Sequence, residues 1–300
     1  MKLCVGNSGQ EIGNSKLEPA HSDPLFSKIR AATWGLIGLA LGGCATPAAQ
    51  LEQLAAAHDW TLSVVHAEVF TLTTYRNRVP LACGTLHVYL AGDGTPWRTP
   101  WQVADDPTPR HPLVWRLMAR DPAPAWYLGR PCYHGAARDP GCTPWHWTMG
   151  RYSETVVAAL ATALRARVAQ EGVRRVVLIG HSGGGTLAWL LAPRIPQTRL
   201  VITLAGNLNL AAWTARHGYT PLVDSLDPAA GPPLPAGIAQ WHLVGTRDDN
   251  VPPGLLRALV PHLVPADRVR EVAADHRNGW ETPWSQELSR LAAELCAGDT

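Results

Sequence analysis

From residue 60 onward the chain alternates between short apolar runs and longer amphipathic stretches. Residues 176–179, Val-Val-Leu-Ile, are apolar and mostly β-branched, which is typical of a strand buried on both faces. Residues 153–170 instead place Val156 and Leu160 four positions apart among other apolar residues, which is the spacing of an amphipathic helix. Ser153 is a candidate N-cap for that helix, because its hydroxyl can accept a hydrogen bond from an N–H of the first turn.

The same patterns predict the order of elements along the rest of the chain. Strands are predicted at 60–76 (two, forming a hairpin), 85–90, 125–128, 174–179, 199–205, 239–244 and 269–273. Helices are predicted at 107–121, 153–170, 186–192, 253–263 and 284–297, with a further short helix around residues 211–213. This alternation predicts an α/β fold with a mostly parallel central sheet and helices on both faces. The stretch 219–237 is proline-rich and too short for a large helical lid domain, so we expect an open or loop-covered site.

The N-terminal region has the pattern of an export signal. The basic residues Lys28 and Arg30 precede an apolar run of roughly 13 residues at 31–43, whereas a transmembrane helix needs roughly 20. The run ends in Leu-Gly-Gly before Cys44, which resembles a bacterial lipoprotein signal whose cysteine becomes lipidated. An ordinary secretory signal or a buried apolar helix are the alternatives.

These features divide the chain into three parts. We expect a lipoprotein-type signal peptide with a long n-region at 1–44, a tether at 45–59 and one globular domain at 60–300. The expected location is the bacterial cell envelope, with attachment to a membrane through the lipid anchor, or secretion if the signal is of the ordinary kind.

Composition narrows the class of partner. The 300 residues are 46% hydrophobic, which suits a globular domain, and the formal net charge is only +2. The arginines are scattered and form no basic stripe, so nucleic-acid binding is not expected. His134, His146 and His217 show no metal-ligand spacing with one another or with acids, so we expect no metal, and no motif calls for a cofactor.

The cysteine pattern argues for a disulfide and against a zinc ribbon. None of the six cysteines forms a Cys-x-x-Cys pair. Cys132 and Cys142 lie close together in a loop rich in proline and glycine, and an exported protein would meet an oxidising compartment. We therefore expect these two residues to be bonded, with two buried free thiols as the alternative.

The segment 180–184, Gly-His-Ser-Gly-Gly, is the strongest candidate for chemistry. It follows a predicted buried strand, precedes a predicted helix and fits the pattern Gly-x-Ser-x-Gly. A nucleophilic serine needs such a tight turn, because its hydroxyl must be exposed while flanking side chains would clash with the strand and helix. Ser182 is the candidate nucleophile. The alternative is an ordinary glycine turn in a βα unit.

A base and an acid follow this turn in the order that a serine nucleophile requires. Asp248 comes just after the predicted strand 239–244, and His276 comes just after the strand 269–273. Because the carboxyl ends of parallel strands share one edge of a sheet, these residues can converge on Ser182. Asp249 is the rival acid. His181 is expected to be a neighbour of the site and not its base.

Two other carboxylates, Asp224 and Asp227, are weaker candidates for the acid because they lie in an irregular loop. A second glycine-rich turn, at 92–94, ends the strand 85–90 and offers backbone N–H groups that could stabilise a negatively charged oxygen. The expected donors are the N–H groups of Gly183 and Asp93, with Gly94 as second choice for the latter. The alternative is a plain Asp-Gly turn.

Taken together, these motifs resemble the α/β-hydrolase superfamily over roughly residues 62–296. The resemblance rests on the Ser182 turn, on Gly245-x-x-Asp248-x-x-Val251-Pro252, and on His276 with Gly279-Trp280. It implies an α/β-hydrolase fold, a Ser182–His276–Asp248 triad and a small-molecule acyl substrate. Four shorter motifs resemble bacterial lipoprotein-type hydrolase sequences of poorly defined substrate: Gly92-Asp93-Gly94, Arg130-Pro131-Cys132, Arg151-Tyr152-Ser153 and Ala205-Gly206-Asn207-Leu208.

The implied activity is cleavage of an ester or related acyl bond through an acyl-enzyme. An acyltransferase on the same triad, or a non-catalytic lipoprotein binding module that keeps the fold, are the alternatives.

Overall fold

The computed structural model describes residues 46–81, 83–260 and 262–296; Cys44 and the signal-like segment lie outside them. The strands are β1 (Thr61–Ala67), β2 (Phe70–Arg76), β3 (Thr85–Leu90), β4 (Trp97–Thr99), β5 (Gln102–Val103), β6 (Ala125–Leu128), β7 (Arg175–His181), β8 (Thr198–Leu204), β9 (Ala239–Gly245) and β10 (Val269–Val272). The helices are α1 (Pro47–Ala57), α2 (Leu113–Met118), α3 (Glu154–Glu171), α4 (Gly183–Leu191), α5 (Leu210–His217), α6 (Pro253–Arg257) and α7 (Glu281–Cys296).

The central sheet contains eight strands in the order β1-β2-β6-β3-β7-β8-β9-β10. β2 runs antiparallel to both of its neighbours, and every other adjacent pair is parallel. The carboxyl ends of β3, β7, β8, β9 and β10 therefore meet at one edge. Leu90 pairs with Gly180, and His181 pairs with Leu204, so three of these strands end at nearly the same level.

Apolar residues of the strands point alternately into two cores, one on each face of the sheet. Along β7, Val176 and Leu178 enter the core that is covered by α3 and α4, while Val177 and Ile179 enter the core covered by α1, α2 and α7. This alternation is the two-residue period of a pleated strand. The fold is therefore the three-layer α/β architecture that the sequence predicts.

Two predicted helices are clearly shorter in the structure. α2 occupies only the middle of the predicted helix 107–121, because three prolines before Leu113 lack backbone donors and Thr108 N donates to the Asp106 side chain in a turn. α6 ends at Arg257, short of the predicted residue 263, since proline at position 261 disfavours helix in the residue before it.

The predicted tether at 45–59 is mostly helix. α1 begins after Thr46, whose hydroxyl accepts a hydrogen bond from Ala49 N, and it buries Leu51 and Ala55 in the core. Both side chains lie on the inner face of the helix, so this part of the segment packs against the sheet. The hairpin of β4 and β5 was not predicted at all, since it has only five strand residues and no apolar alternation.

No large lid formed by the described residues covers the sheet edge. Between the end of α5 and the start of β9, residues 218–238 contain only a short 3₁₀ turn at Pro228–Ala230. No helix within 46–81, 83–260 and 262–296 is both long and apolar enough to cross a bilayer.

Candidate active site

Ser182 lies in a strained turn between β7 and α4. Its backbone has φ 54° and ψ −123°, a conformation that residues with a side chain rarely adopt. The strand and the helix that flank it are buried, so the surrounding structure holds this conformation in place. The serine itself is half-buried.

Two glycines make the turn sterically possible. A Cβ on Gly180 would lie 2.1 Å from the carbonyl oxygen of Gly184, and a Cβ on Gly184 would lie 2.1 Å from that of Leu90. Backbone atoms cannot move away as a flexible side chain can, so any larger residue would push α4 off the sheet. These are the glycines of the pattern Gly-x-Ser-x-Gly, and close packing is the physical reason for both.

Ser182, His276 and Asp248 form a continuous chain of hydrogen bonds. The Ser182 hydroxyl lies 3.1 Å from His276 Nε2, to which it can donate its proton. His276 Nδ1–H donates to Asp248 Oδ2 at 2.8 Å. The structure thus brings together the three residues that the sequence proposes for a triad.

The structure also distinguishes Asp248 from its rivals. The Asp248 side chain is fully buried, and its other oxygen accepts hydrogen bonds from Asn250 N and Val251 N. Asp249 is exposed, and His276 Nδ1 is bonded to Asp248 instead. The two acids of the irregular loop have partners elsewhere: Asp224 accepts a hydrogen bond from Trp145 Nε1, and Asp227 accepts from the first N–H groups of α5.

His181 supports the loop that carries His276. Its Nε2–H donates to the backbone oxygen of His276 at 2.9 Å, and the two rings lie 4.9 Å apart. Burial, together with the charge of the nearby His276, lowers the pKa of His181 to about 3, so this imidazole is neutral at pH 7. The indole N–H of Trp280 donates to Asp275 O and fixes the same loop from the other side. His181 is thus a neighbour of the site and not its base.

The two expected oxyanion donors flank Ser182. A Cβ on Gly92 would lie 3.2 Å from Ser182 Cβ, so the turn at 92–94 packs directly against the serine. Among the described residues, neither Gly183 N nor Asp93 N has a hydrogen-bond acceptor. Gly94 has φ +66° and faces Pro107 O, where a Cβ would come within 2.0 Å. Gly94 therefore shapes the turn by its close contact with residue 107.

The Asp93 side chain is enclosed by a cluster that the local sequence pattern did not reveal. Arg130 Nη1 and Arg151 Nη1 bind its two carboxylate oxygens at 2.6 and 2.9 Å. The Tyr152 hydroxyl lies 2.6 and 2.7 Å from the same two oxygens, and the Tyr133 hydroxyl donates to Asp93 O at 2.9 Å. We call Arg130, Tyr133, Arg151 and Tyr152 the Asp93 clamp.

The only sequence signal for the clamp is the pair of short motifs at 130–132 and 151–153. Their resemblance to other sequences does not show which residue either arginine contacts. The predicted disulfide joins Cys132 to Cys142, with Cα atoms 5.5 Å apart. Cys132 lies between Arg130 and Tyr133 in the chain, so the disulfide restrains the loop that carries these two clamp residues.

Four histidines away from the proposed triad have structural partners. His87 is buried and binds Asp121 Oδ2 at 2.6 Å, and His242 is buried against Thr203 Oγ1. His134 lies beside the Tyr127 hydroxyl, and His217 binds Asn250 O. Within the part of the chain that the structure describes, no cluster of His, Cys, Asp and Glu is arranged to hold a metal ion.

The fold is shared with many solved structures. A protein of unknown function from Agrobacterium tumefaciens, provisionally classed as an alpha/beta hydrolase, superposes with a TM-score of 0.54 at 14% identity, over 78% of this chain and 98% of that one. The Pyrococcus furiosus esterase Pf2001 gives 0.53 at 13% identity, over 84% and 95%. A bacterial membrane phospholipase A gives 0.50 at 16% identity, over 83% and 91%.

Similarity of this extent identifies the architecture: the chain has the α/β-hydrolase fold. No protein-family model matches the sequence, and no curated protein matches it significantly.

Proposed function

We propose that this protein is a serine esterase that cleaves an acyl ester through an acyl-enzyme intermediate. The observation that carries the proposal is the hydrogen-bonded chain Ser182–His276–Asp248, which starts at a serine in a strained turn. A serine hydroxyl is a weak nucleophile alone, and it becomes effective when a base accepts its proton and a third group orients the base. Esterase and phospholipase names among the proteins of similar fold agree with this reaction class.

In the proposed mechanism, Ser182 Oγ forms a bond to the acyl carbonyl carbon while His276 Nε2 takes its proton. Asp248 holds the imidazole in the correct tautomer and stabilises its charged form. The N–H groups of Gly183 and Asp93 bind the oxyanion. When the intermediate collapses, the carbon–oxygen bond of the leaving alcohol breaks and His276 returns the proton to it. Water then attacks the acyl-enzyme by the same steps and releases the acid.

The exposure of the site favours water over an alcohol as the second acceptor. The His276 side chain is 19% exposed, Ser182 is half-buried, and no lid formed by the described residues covers the sheet edge. An acyltransferase must exclude water from its acyl-enzyme. We therefore propose hydrolysis as the main reaction.

A kinetic assay with p-nitrophenyl esters tests this proposal. With acetate, butyrate and octanoate esters, the wild type should release p-nitrophenol with a burst equal to the active-site concentration if deacylation is slow, and the free acid should accumulate. Adding a short alcohol tests the transferase alternative: ester product in excess of free acid would favour the transferase. A folded protein that releases no p-nitrophenol from any ester would favour a binding module.

We also propose that the protein is exported and lipid-anchored through Cys44. The supporting features are the basic-then-apolar segment before Cys44 and the disulfide between Cys132 and Cys142, a bond that forms in oxidising compartments. Stable attachment takes more than one acyl chain, which a diacylglyceryl cysteine supplies. In bacteria fed labelled palmitate, Cys44→Ala should lose the label while Cys83→Ala keeps it. Label retained by Cys44→Ala would reject the anchor.

A further inference from the structure

The Asp93 clamp is unusual because it places three charges in a poorly hydrated position beside the proposed nucleophile. The side chains of Arg130, Arg151 and Asp93 are only 2%, 7% and 16% exposed. Removing charges from water is unfavourable unless each is paired and hydrogen-bonded. A buried cluster of this kind adds little to stability compared with an apolar one of the same size, so its position calls for a functional explanation.

Both charge and hydrogen bonding keep Asp93 ionised. Burial alone would raise the pKa of Asp93, but the charges of Arg151 and Arg130 and the Tyr152 hydroxyl together hold it well below its usual range. Arg130 Nη2 also donates to Arg151 O, and Arg151 Nε donates to Thr148 O, so each guanidinium has a fixed orientation. The cluster carries two positive charges and one negative charge.

The clamp meets the turn that carries Ser182. A Cβ on Gly183 would lie 2.2 Å from Asp93 Oδ1 and 2.2 Å from the Tyr152 hydroxyl oxygen, so the Asp93 carboxylate and Tyr152 pack against the first residue of α4. The glycine at 183 is therefore required by the clamp, whereas those at 180 and 184 are required by neighbouring backbone. Asp93 therefore belongs to the turn at 92–94 and also contacts Gly183, so one residue connects the two proposed oxyanion donors.

The clamp also fixes the backbone of Asp93. The carboxylate is held by Arg130, Arg151 and Tyr152, and the carbonyl oxygen is held by Tyr133. Because the side chain and the carbonyl oxygen of Asp93 are both held, the backbone of this residue has little freedom to rotate. The orientation of its N–H is restricted as a result. A hydrogen-bond donor that is already oriented stabilises a transition state without reorganisation during the reaction.

We propose that Arg130, Arg151 and Tyr152 are positioning residues for catalysis: they hold Asp93 against Gly183 so that the two backbone N–H groups converge on one oxyanion, in a cluster of net positive charge. This inference rests on the proposed esterase function. It predicts that weakening the clamp slows the chemical step, whereas substrate binding changes little. A purely structural role predicts lower stability with unchanged chemistry per active site.

The test compares two tyrosines that make equivalent contacts. Tyr152→Phe removes a hydroxyl that lies 2.6 Å from a buried carboxylate at the site, and Tyr89→Phe removes one at 2.6 Å from the buried Asp121, outside the site. For Tyr152→Phe we expect kcat for p-nitrophenyl acetate to fall about 10- to 100-fold per titrated active site, less than the about 10²–10³-fold typical of losing a donor outright. KM should stay within about twofold, since only the oxyanion contact weakens. Tyr89→Phe should keep the wild-type kcat even if its Tm falls by as much as that of Tyr152→Phe.

The inhibition constant of a boronic acid reports on the oxyanion site itself and not on protein stability. Its tetrahedral adduct with Ser182 places an oxygen in that site. Its Ki should rise in parallel with the fall in kcat for Tyr152→Phe and should not change for Tyr89→Phe.

Arg151→Lys should keep more kcat than Arg151→Gln, because it retains the charge. Arg76→Gln, which breaks the Arg76–Glu171 pair, is the matched control for loss of an arginine.

Wild-type kcat and boronate affinity in folded Tyr152→Phe would overturn the inference while leaving the esterase proposal intact. Absence of ester hydrolysis in the wild type would instead reject the proposed function.

Discussion

The backbone oxygen of His276 accepts a hydrogen bond from the side chain of His181, the residue that directly precedes Ser182. The proposed base and the proposed nucleophile are therefore connected twice: through His276 Nε2 and the Ser182 hydroxyl, and through this carbonyl contact. Because His181 is buried at the end of β7, it sets the position of the loop that follows β10 relative to the nucleophile.

This contact gives the first prediction. His181→Phe keeps a ring of similar shape but loses the donor, so the His276 loop gains freedom and kcat should fall by about 5–10-fold, the equivalent of about one net hydrogen bond. In His181→Gln the side-chain amide N–H lies close to the position of the lost Nε2–H and can donate to the same oxygen, so this variant should keep most of the activity. Ester hydrolysis rates of the purified variants measure this. Equal activity of the two variants would show that the carbonyl contact has no role.

The second prediction separates the two adjacent acids. Asp248→Asn should lower kcat by about 10³–10⁴-fold, because an amide in this position stabilises neither the correct tautomer nor the charged form of His276. Asp249→Asn, its matched control, should keep the wild-type rate, since Asp249 is exposed and the histidine is bonded to its neighbour. The measurement is kcat for a p-nitrophenyl ester. Strong loss in Asp249→Asn would show that the wrong carboxylate has been assigned.

The third prediction concerns the disulfide. It closes a loop with a sequence separation of 10 residues, for which chain entropy gives a stabilisation of about 3 kcal/mol. The double variant Cys132→Ser, Cys142→Ser should lose about that much unfolding free energy in a urea titration. Cys83→Ser removes a free, half-buried thiol and should change stability much less. If the double variant were as stable as Cys83→Ser, the bond would not contribute to folding.

The fourth prediction follows from two buried neutral histidines. Burial lowers the pKa of both His181 and His242 to about 3, against 6.5 in the unfolded chain. The unfolded state therefore binds more protons below pH 6.5, and the free energy of unfolding should fall as the pH drops from about 6.5 toward 3. Asp93, whose pKa is lowered, adds a further loss only below its unfolded value of 3.8.

Urea titrations at pH 7, 6, 5 and 4 measure this dependence. His242→Gln lies away from the proposed triad and should reduce the slope by up to about 1.4 kcal/mol per pH unit, the value for one proton. An unchanged slope would mean that the pKa of His242 is the same in the folded and unfolded protein.

The fold and the proposed triad could be predicted because their signals are local. Each central strand is a short run such as 176–179, apolar since both faces are covered, and each proposed catalytic residue follows the end of a strand. Strand ends converge in any parallel sheet, so the order Ser182, Asp248, His276 was enough to bring the three together. The steric need for Gly180 and Gly184 is equally local, because it comes from one tight turn.

The clamp could not be predicted because its contacts connect distant parts of the chain. Asp93 is separated by 37 residues from Arg130 and by 58 and 59 from Arg151 and Tyr152. Nothing in the pattern around any one of them specifies its partner. An Asp-Gly turn at 93–94 has the same sequence whether its carboxylate faces solvent or two arginines, and only the packing of the loop after β6 decides between them.

Reaction with a fluorophosphonate probe shows whether Ser182 is an activated nucleophile, since this reagent bonds to an activated serine and not to an ordinary one. Wild type should gain one adduct per chain on the peptide that contains Ser182. Ser182→Ala should not label although its circular dichroism spectrum is unchanged, whereas the control variant Ser285→Ala, on α7, should label as well as wild type. Folded wild type that does not react, or a Ser182→Ala variant that still does, would contradict the assignment of Ser182 as the nucleophile.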